Sequence, residues 1–208
     1  MLLSENYGQI GSYEGPQIKD HPPTENCMSI IDKVIAAVTP PESNEARAKA
    51  RARARAAAGQ NDWLAMVLNH HEQVEAAFAT VKAASDPTSR VASLKRLATL
   101  LTGHSIAEEA ALYPALSRAD ESTHATKAYT EQSAAKLQLG LLEDLPPMSQ
   151  EFVDKLGHLE GAVAHHVYEE EHNWFLDLKT KTPAADQVKL TQRYQEHFSR
   201  YMGDESDI

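Results

Sequence analysis

Four long stretches of this chain repeat their apolar residues three and four places apart, and each repeat is broken near its middle by an imidazole, a carboxylate or a carboxamide. The first reads Leu64, Val67, His71, Val74 and Phe78. The second reads Leu94, Leu97, Leu101, His104, Glu108 and Ala111. The third reads Ala125, Ala128, Gln132, Ala135, Leu139 and Leu142, and the fourth Leu156, Leu159, Val163, His166, Glu170 and Asn173. Residues three and four apart share one face of a helix. Four such faces, on helices joined by short connectors, bury one another in an all-α, up-down-up-down four-helix bundle.

The punctuation sets the boundaries. Asn61 or Asp62 caps the first helix, which runs to about Ala84. Asp86 and Pro87 open the second, expected to reach about Ala119 with a kink or early end at Pro114. The third spans about Ser122 to Asp144 and is stopped by Pro146 and Pro147. Ser149 caps the fourth, which runs to about Leu178. Thr182 and Pro183 start a last helix, to about Met202, expected to pack outside the other four. Residues 60–180 thus form the bundle, and 181–208 add a C-terminal extra helix.

Residues 1–59 read as an N-terminal extension. Its first part, 1–26, is rich in Gly and Pro and predicts an irregular arm. Cys27 to Val38 predicts a short amphipathic helix, and a basic Ala/Arg helix follows from Glu45 to a stop at Gly59. Its basic residues fall at every second position and so scatter over more than one face. With no aromatic residues among them, they fit a solvated helical tether better than a nucleic-acid arm.

Charge and cysteine content narrow the function. Residues 1–59 carry equal numbers of acidic and basic side chains, so the formal charge of −10 sits in 60–208. An acidic body suits neither nucleic acid nor an anionic membrane. The single cysteine, Cys27, makes no internal disulfide, and neither a signal peptide nor a membrane span is expected, so the cytoplasm is the expected compartment. No nucleophile triad, glycine-rich phosphate loop or zinc-finger cysteine set is present in the sequence.

The polar interruptions carry the chemistry. An unpaired charge in an apolar core costs several kcal/mol. Four helices bearing that cost at similar depth call for a common partner, and a cation shared by the histidines and glutamates supplies one. The second helix reads H-x-x-x-E-E from His104 and the fourth reads H-x-x-x-E-E from His166. Residues four apart lie one turn above each other, so each pair offers an imidazole nitrogen and a carboxylate to one site. This echo is the pattern of a two-metal centre, and the mixed donors suit iron, manganese or zinc. Glu109, Glu169 and Glu171 fall off the stripes and read as solvated or as partners of the ligands. His70 and His165 sit beside the candidate ligands, and His172 and His197 read as surface residues.

These segments resemble the hemerythrin-like (HHE cation-binding) family over about residues 61–178. The resemblance rests on LNHHEQVEAAF around His71, HSIAEEAALYPAL from His104 and HHVYEEEHNWF from His165. It implies a di-iron centre, two ions bridged by carboxylates and an oxo or hydroxo group, with His71, His104 and His166 as terminal ligands and Glu108 and Glu170 as bridges. Manganese or zinc remain alternatives. One departure stands out: the third helix carries Gln132 where the family usually has histidine. That leaves one metal short of protein ligands, a place that Gln132 itself, water, Glu131 or Tyr129 can fill; Glu75 is a further donor from the first helix. The implied function is binding or sensing of oxygen or a related small oxidant. The alternatives are a di-iron enzyme that decomposes peroxide or handles nitric oxide, and an interaction module with a vestigial site.

Overall fold

The structure, a computed structural model, describes residues 42–119 and 121–203. The irregular arm and the Cys27–Val38 helix expected from the sequence lie outside the described residues. Helix α1 spans Asn44–Ala57, α2 Trp63–Ala83, α3 Pro87–Arg118, α4 Ser122–Glu143 and α5 Gln150–Glu169. A π-helical turn, Glu170–Trp174, continues α5 into α6, Phe175–Lys181; α7 spans Ala184–Met202.

Local chemistry explains the starts. Ser43, Asp62, Asp86 and Ser149 each accept a hydrogen bond from the third residue on, the geometry of an N-cap. Pro87 occupies the first turn of α3, where its missing N–H is no loss. Pro114 does not end α3: the helix runs on to Arg118. Packing overrides the cost of the proline there, because Leu112, Tyr113, Ala115 and Leu116 around it are all buried.

Helices α2, α3, α4 and α5 with its continuation form the expected bundle, each packed on its neighbour in sequence, with α2 closing against α5. Two apolar clusters fill it. One contains Leu64, Val67, Leu68, Ala111, Leu116, Ala128 and Phe175. The other contains Val74, Phe78, Leu97, Leu101, Leu139, Leu156 and Val163. His71, His104, Glu108, Gln132, His166 and Glu170 are buried as well and form the polar layer between the clusters. By area alone, each fully buried Leu or Phe contributes roughly 1.5–3 kcal/mol, so the apolar layers can carry a polar one.

One of the two outer helices departs from the sequence expectation. Helix α1 is docked rather than a solvated tether. Ala50 and Ala54 are buried, and small side chains there let the helix lie close to the bundle. Arg51 then reaches Glu75 with two hydrogen bonds of 2.8 Å, and Arg55 reaches Asn69 at 2.7 Å. Helix α7 lies against α2 and α3 and does more than cover them, because its Tyr194 is fully buried. The close approach needs Gly103 on α3, where a Cβ would lie 2.9 Å from Met202 Sδ and 3.0 Å from Tyr201 Cδ1. At the other end, the Trp63 indole N–H donates to Gln187 Oε1 at 2.6 Å and pins α7 to the start of α2.

Candidate metal centre

The polar layer is built so that each of three imidazoles points one nitrogen inward and holds the other from outside. His71 Nδ1 lies 2.8 Å from Glu171 Oε1, His104 Nδ1 lies 3.1 Å from the Tyr194 hydroxyl, and His166 Nδ1 lies 2.9 Å from Glu131 Oε2. An outer partner of this kind fixes the ring and its tautomer and turns Nε2 inward, as in histidines that ligate metals. The three Nε2 atoms face the two glutamates. His71 Nε2 is 3.3 Å from Glu170 Oε2 and 3.8 Å from Glu108 Oε1. His104 Nε2 is 3.2 Å from Glu108 Oε2, and His166 Nε2 is 3.3 Å from Glu170 Oε1.

Several of these inward atoms are unsatisfied. His71 Nε2, Glu108 Oε1, Gln132 Oε1 and Glu170 Oε2 are buried without a hydrogen-bond partner. Native proteins rarely leave such atoms alone, because each costs about 1–3 kcal/mol. Donor atoms of His71, His104, Glu108 and Glu170 all lie within 4.8 Å of one another, close enough to share an ion. Imidazole nitrogen with carboxylate oxygen suits iron, manganese or zinc, so the residues present fit a transition-metal ion.

Without metal, protons do part of that work. Burial pulls the His166 imidazole down, but the charges of Glu170 and Glu131 outweigh it and raise it to about 10. His71 is likewise opposed by burial yet held well above its ordinary value by Glu108, Glu170 and Glu171. His104 goes the other way: burial and the neighbouring His71 charge push it well below the usual range. Burial and the Glu170 charge raise Glu108 to about 7. Glu170 is opposed by burial, but His166 and His71 hold it far below the usual carboxylate range.

The structure brings together all six candidates read from the sequence, in different postures. His71, His104, His166, Glu108 and Glu170 aim donor atoms at one centre. Gln132 is buried beside them, with its amide N–H donating to Glu108 Oε2 at 2.5 Å and to the Tyr113 hydroxyl at 2.6 Å, which leaves only Oε1 to face an ion. Of the supplementary donors, Glu75 is half exposed and engaged by Arg51, and the Tyr129 hydroxyl donates to the Glu109 carbonyl. Glu131 holds the far side of His166.

Three residues at the centre were not candidates from the sequence. Tyr113 lies fully buried among Glu108, Glu170, His166 and Gln132. Tyr194 arrives from α7 and links His104 to His70, whose Nδ1 is 2.8 Å away. Arg51 arrives from α1 and donates Nε–H to Glu171 Oε1 at 3.0 Å. The π-turn is what buries Glu171 together with Glu170: the wider turn rotates both inward and leaves Asn173, expected on the inner stripe, exposed. His172 is exposed as expected.

A four-helix bundle with a buried His/Glu donor layer between two apolar clusters defines a class of metal-binding helical domain. The chain belongs to the hemerythrin HHE cation-binding domain family, which it matches over residues 63–177. It is also similar to a DNA nickase of Nostoc sp. (strain PCC 7120 / SAG 25.82 / UTEX 2576), at 28% identity over 109 residues. That match covers 52% of this chain and 31% of the relative, so the chain spans about a third of the nickase's length. No solved structure matches it significantly. Among the described residues no helix is long and apolar enough to cross a membrane.

Proposed function

We propose that this chain is a non-haem metal protein whose bundle core holds a pair of iron ions and that it binds or senses dioxygen or a related small oxidant. The observation that carries the reading is the set of buried, unsatisfied donor atoms aimed at one centre from helices α2 and α3, the π-turn and Gln132 of α4. His71 and His104 would hold one ion and His166 the other. Glu108 and Glu170 would serve both, since Glu170 turns Oε2 toward His71 and Oε1 toward His166. Iron bound there would supply reversible electron exchange with an oxidant.

The surroundings support a small ligand. A cavity of about 80 Å³ reaches His71, His104, Gln132 and His166, and its walls include Val74, Leu101, Ala135, Val163 and Val167. It is well below the roughly 300–1,000 Å³ of sites that enclose larger organic ligands. Apolar walls exclude water and favour a weakly hydrated guest such as dioxygen or nitric oxide. Because the cavity leads to His104 and His166 together, turnover of peroxide or nitric oxide is the second reading. The nicking activity named for the Nostoc relative is not part of this reading: the shared segment is 31% of that protein, and a charge of −10 disfavours contact with DNA. A cytoplasmic setting agrees with the single cysteine.

Metal analysis of the purified full chain, followed by anaerobic titration with dioxygen, tests the proposal. The expected result is two iron ions per chain and an optical change on adding oxygen. Zinc in place of iron, having no redox change, would remove the oxygen chemistry, and manganese would overturn the iron assignment. A fully folded chain that takes up no metal would overturn the reading in favour of an interaction module. Fast peroxide consumption that Glu108→Ala abolishes would select the enzyme.

A further inference from the structure

We infer that Tyr113 is a protein ligand of the second metal position, its phenolate oxygen filling the place left by the histidine missing at Gln132. This rests on the metal reading above and adds a residue to it.

The Tyr113 hydroxyl is surrounded by more partners than a phenol can serve. It lies 3.1 Å from Glu108 Oε2, 2.9 Å from Glu170 Oε1 and 3.1 Å from His166 Nε2, and it receives the Gln132 amide at 2.6 Å. A phenol has one proton to give. Two carboxylate oxygens compete for it, and the one that loses must find its donor elsewhere, as Glu108 Oε2 does in the Gln132 amide at 2.5 Å. A cation among these atoms resolves the conflict, because every one of them except the amide N–H can then act as a donor to it.

The separations fit that role. Around an octahedral ion with bonds of about 2.1 Å, adjacent ligand atoms stand roughly 3 Å apart. Tyr113 stands at 2.9–3.1 Å from the two carboxylates and His166, and His166 Nε2 at 3.3 Å from Glu170 Oε1. The outer nitrogens of His71 and His104 meet Glu171 and Tyr194, whereas the imidazole facing the Tyr113 hydroxyl is that of His166. Gln132 then has a defined task. Its amide hydrogens, directed at Tyr113 and Glu108, support a negatively charged phenolate oxygen. On binding, the Tyr113 O–H bond breaks as the oxygen–metal bond forms, and the proton passes to solvent; no electrons are exchanged in that step.

The test uses the full chain loaded anaerobically with ferrous iron and then oxidised by dioxygen from air. The expected result is a visible phenolate-to-ferric charge-transfer band whose resonance Raman spectrum contains tyrosine ring modes. Those modes shift when the wild-type chain is grown with ring-deuterated tyrosine, a readout that needs no variant to fold. Tyr113→Phe should lose the band while keeping its helical circular dichroism and at least one iron. An iron-loaded wild-type chain without tyrosine modes, or a Tyr113→Phe chain with an unchanged spectrum, would overturn the assignment and leave the metal site standing. A wild-type chain that takes up no iron would remove both.

Discussion

The two H-x-x-x-E pairs are alike in sequence and opposite in electrostatic character. His104 Nε2 and Glu108 are 3.2 Å apart, and His166 Nε2 and Glu170 are 3.3 Å apart. Yet in the metal-free chain burial and the His71 charge keep His104 neutral, while burial and Glu170 raise its partner Glu108 to about 7. In the second pair His166 is raised to about 10, since Glu170 and Glu131 outweigh burial, and Glu170 stays ionised. Besides burial, the His71 charge on His104 and the Glu170 charge on His166, part of the contrast lies behind the rings. His104 leans on a neutral tyrosine from α7, whereas His166 leans on the carboxylate of Glu131. A repeated motif therefore supplies matching donors, and the residues outside it decide which of them carry charge.

This contrast can be broken by mutation. In the metal-free chain, Glu170→Gln removes the charge that offsets His71 and His166 and should cost about 3 kcal/mol. Glu108→Gln replaces a carboxyl already largely protonated below pH about 7 and should cost less than about 1 kcal/mol. Urea unfolding at pH 6 compares them, and equal losses would show that the two pairs do not differ in charge. Arg51→Ala comes next. It leaves the buried Glu171 carboxylate with His71 alone and should lower stability by about 2 kcal/mol, with Arg51→Lys recovering part of it in the same assay.

The pH dependence sharpens the comparison further. The His166 pKa is raised from 6.5 to about 10, so its proton stabilises the metal-free fold fully below pH 6.5, and that contribution is lost as pH rises toward 10. A metal needs the same nitrogen unprotonated. Metal affinity should therefore rise with pH across this window, by about 1.4 kcal/mol per pH unit for each proton displaced. Melting curves with and without metal at a series of pH values measure it, and a metal-induced gain that shrinks with pH would contradict the assignment. A comparably small effect belongs to the other pair. Tyr194→Phe strips the hydroxyl shared by His70 and His104 and should cost about 1 kcal/mol, with faster metal loss to a chelator; unchanged loss rates would show that Tyr194 does not hold His104 in place.

The stripes were legible because their period is regular. Leu64 through Phe78 and Leu94 through Ala111 face inward as their spacing requires, and the polar interruptions mark the depth of the centre. Regularity is also why other features were hidden. A stripe read at 3.6 residues per turn passes from Glu170 to Asn173, but the π-turn puts Glu171 and Trp174 inside instead. Tyr113 lies five residues past Glu108, off the inner stripe of α3, yet its hydroxyl reaches Glu108, Glu170 and His166. Tyr194 belongs to a helix whose buried positions are just Leu190 and Tyr194, too few to show a period. Arg51 sits in a run with a basic residue at every other place, and the one local hint was the small face made by Ala50 and Ala54.

The wide turn at Glu170–Trp174 makes the length of the fourth bundle helix a matter of single residues. Downstream of it, Phe175 and Leu178 are locked into the apolar end of the bundle, while upstream His166 is fixed by Glu131. Excising one residue between these anchors would restore an ordinary helix and force a choice. Either Glu171 would swing away from His71 and strand Arg51, or the aromatic end would come out of register with Trp63, the edge-on neighbour of Phe175. Point substitutions at the exposed His172 and Asn173 should be absorbed, whereas a one-codon deletion in the same place should dismantle the site.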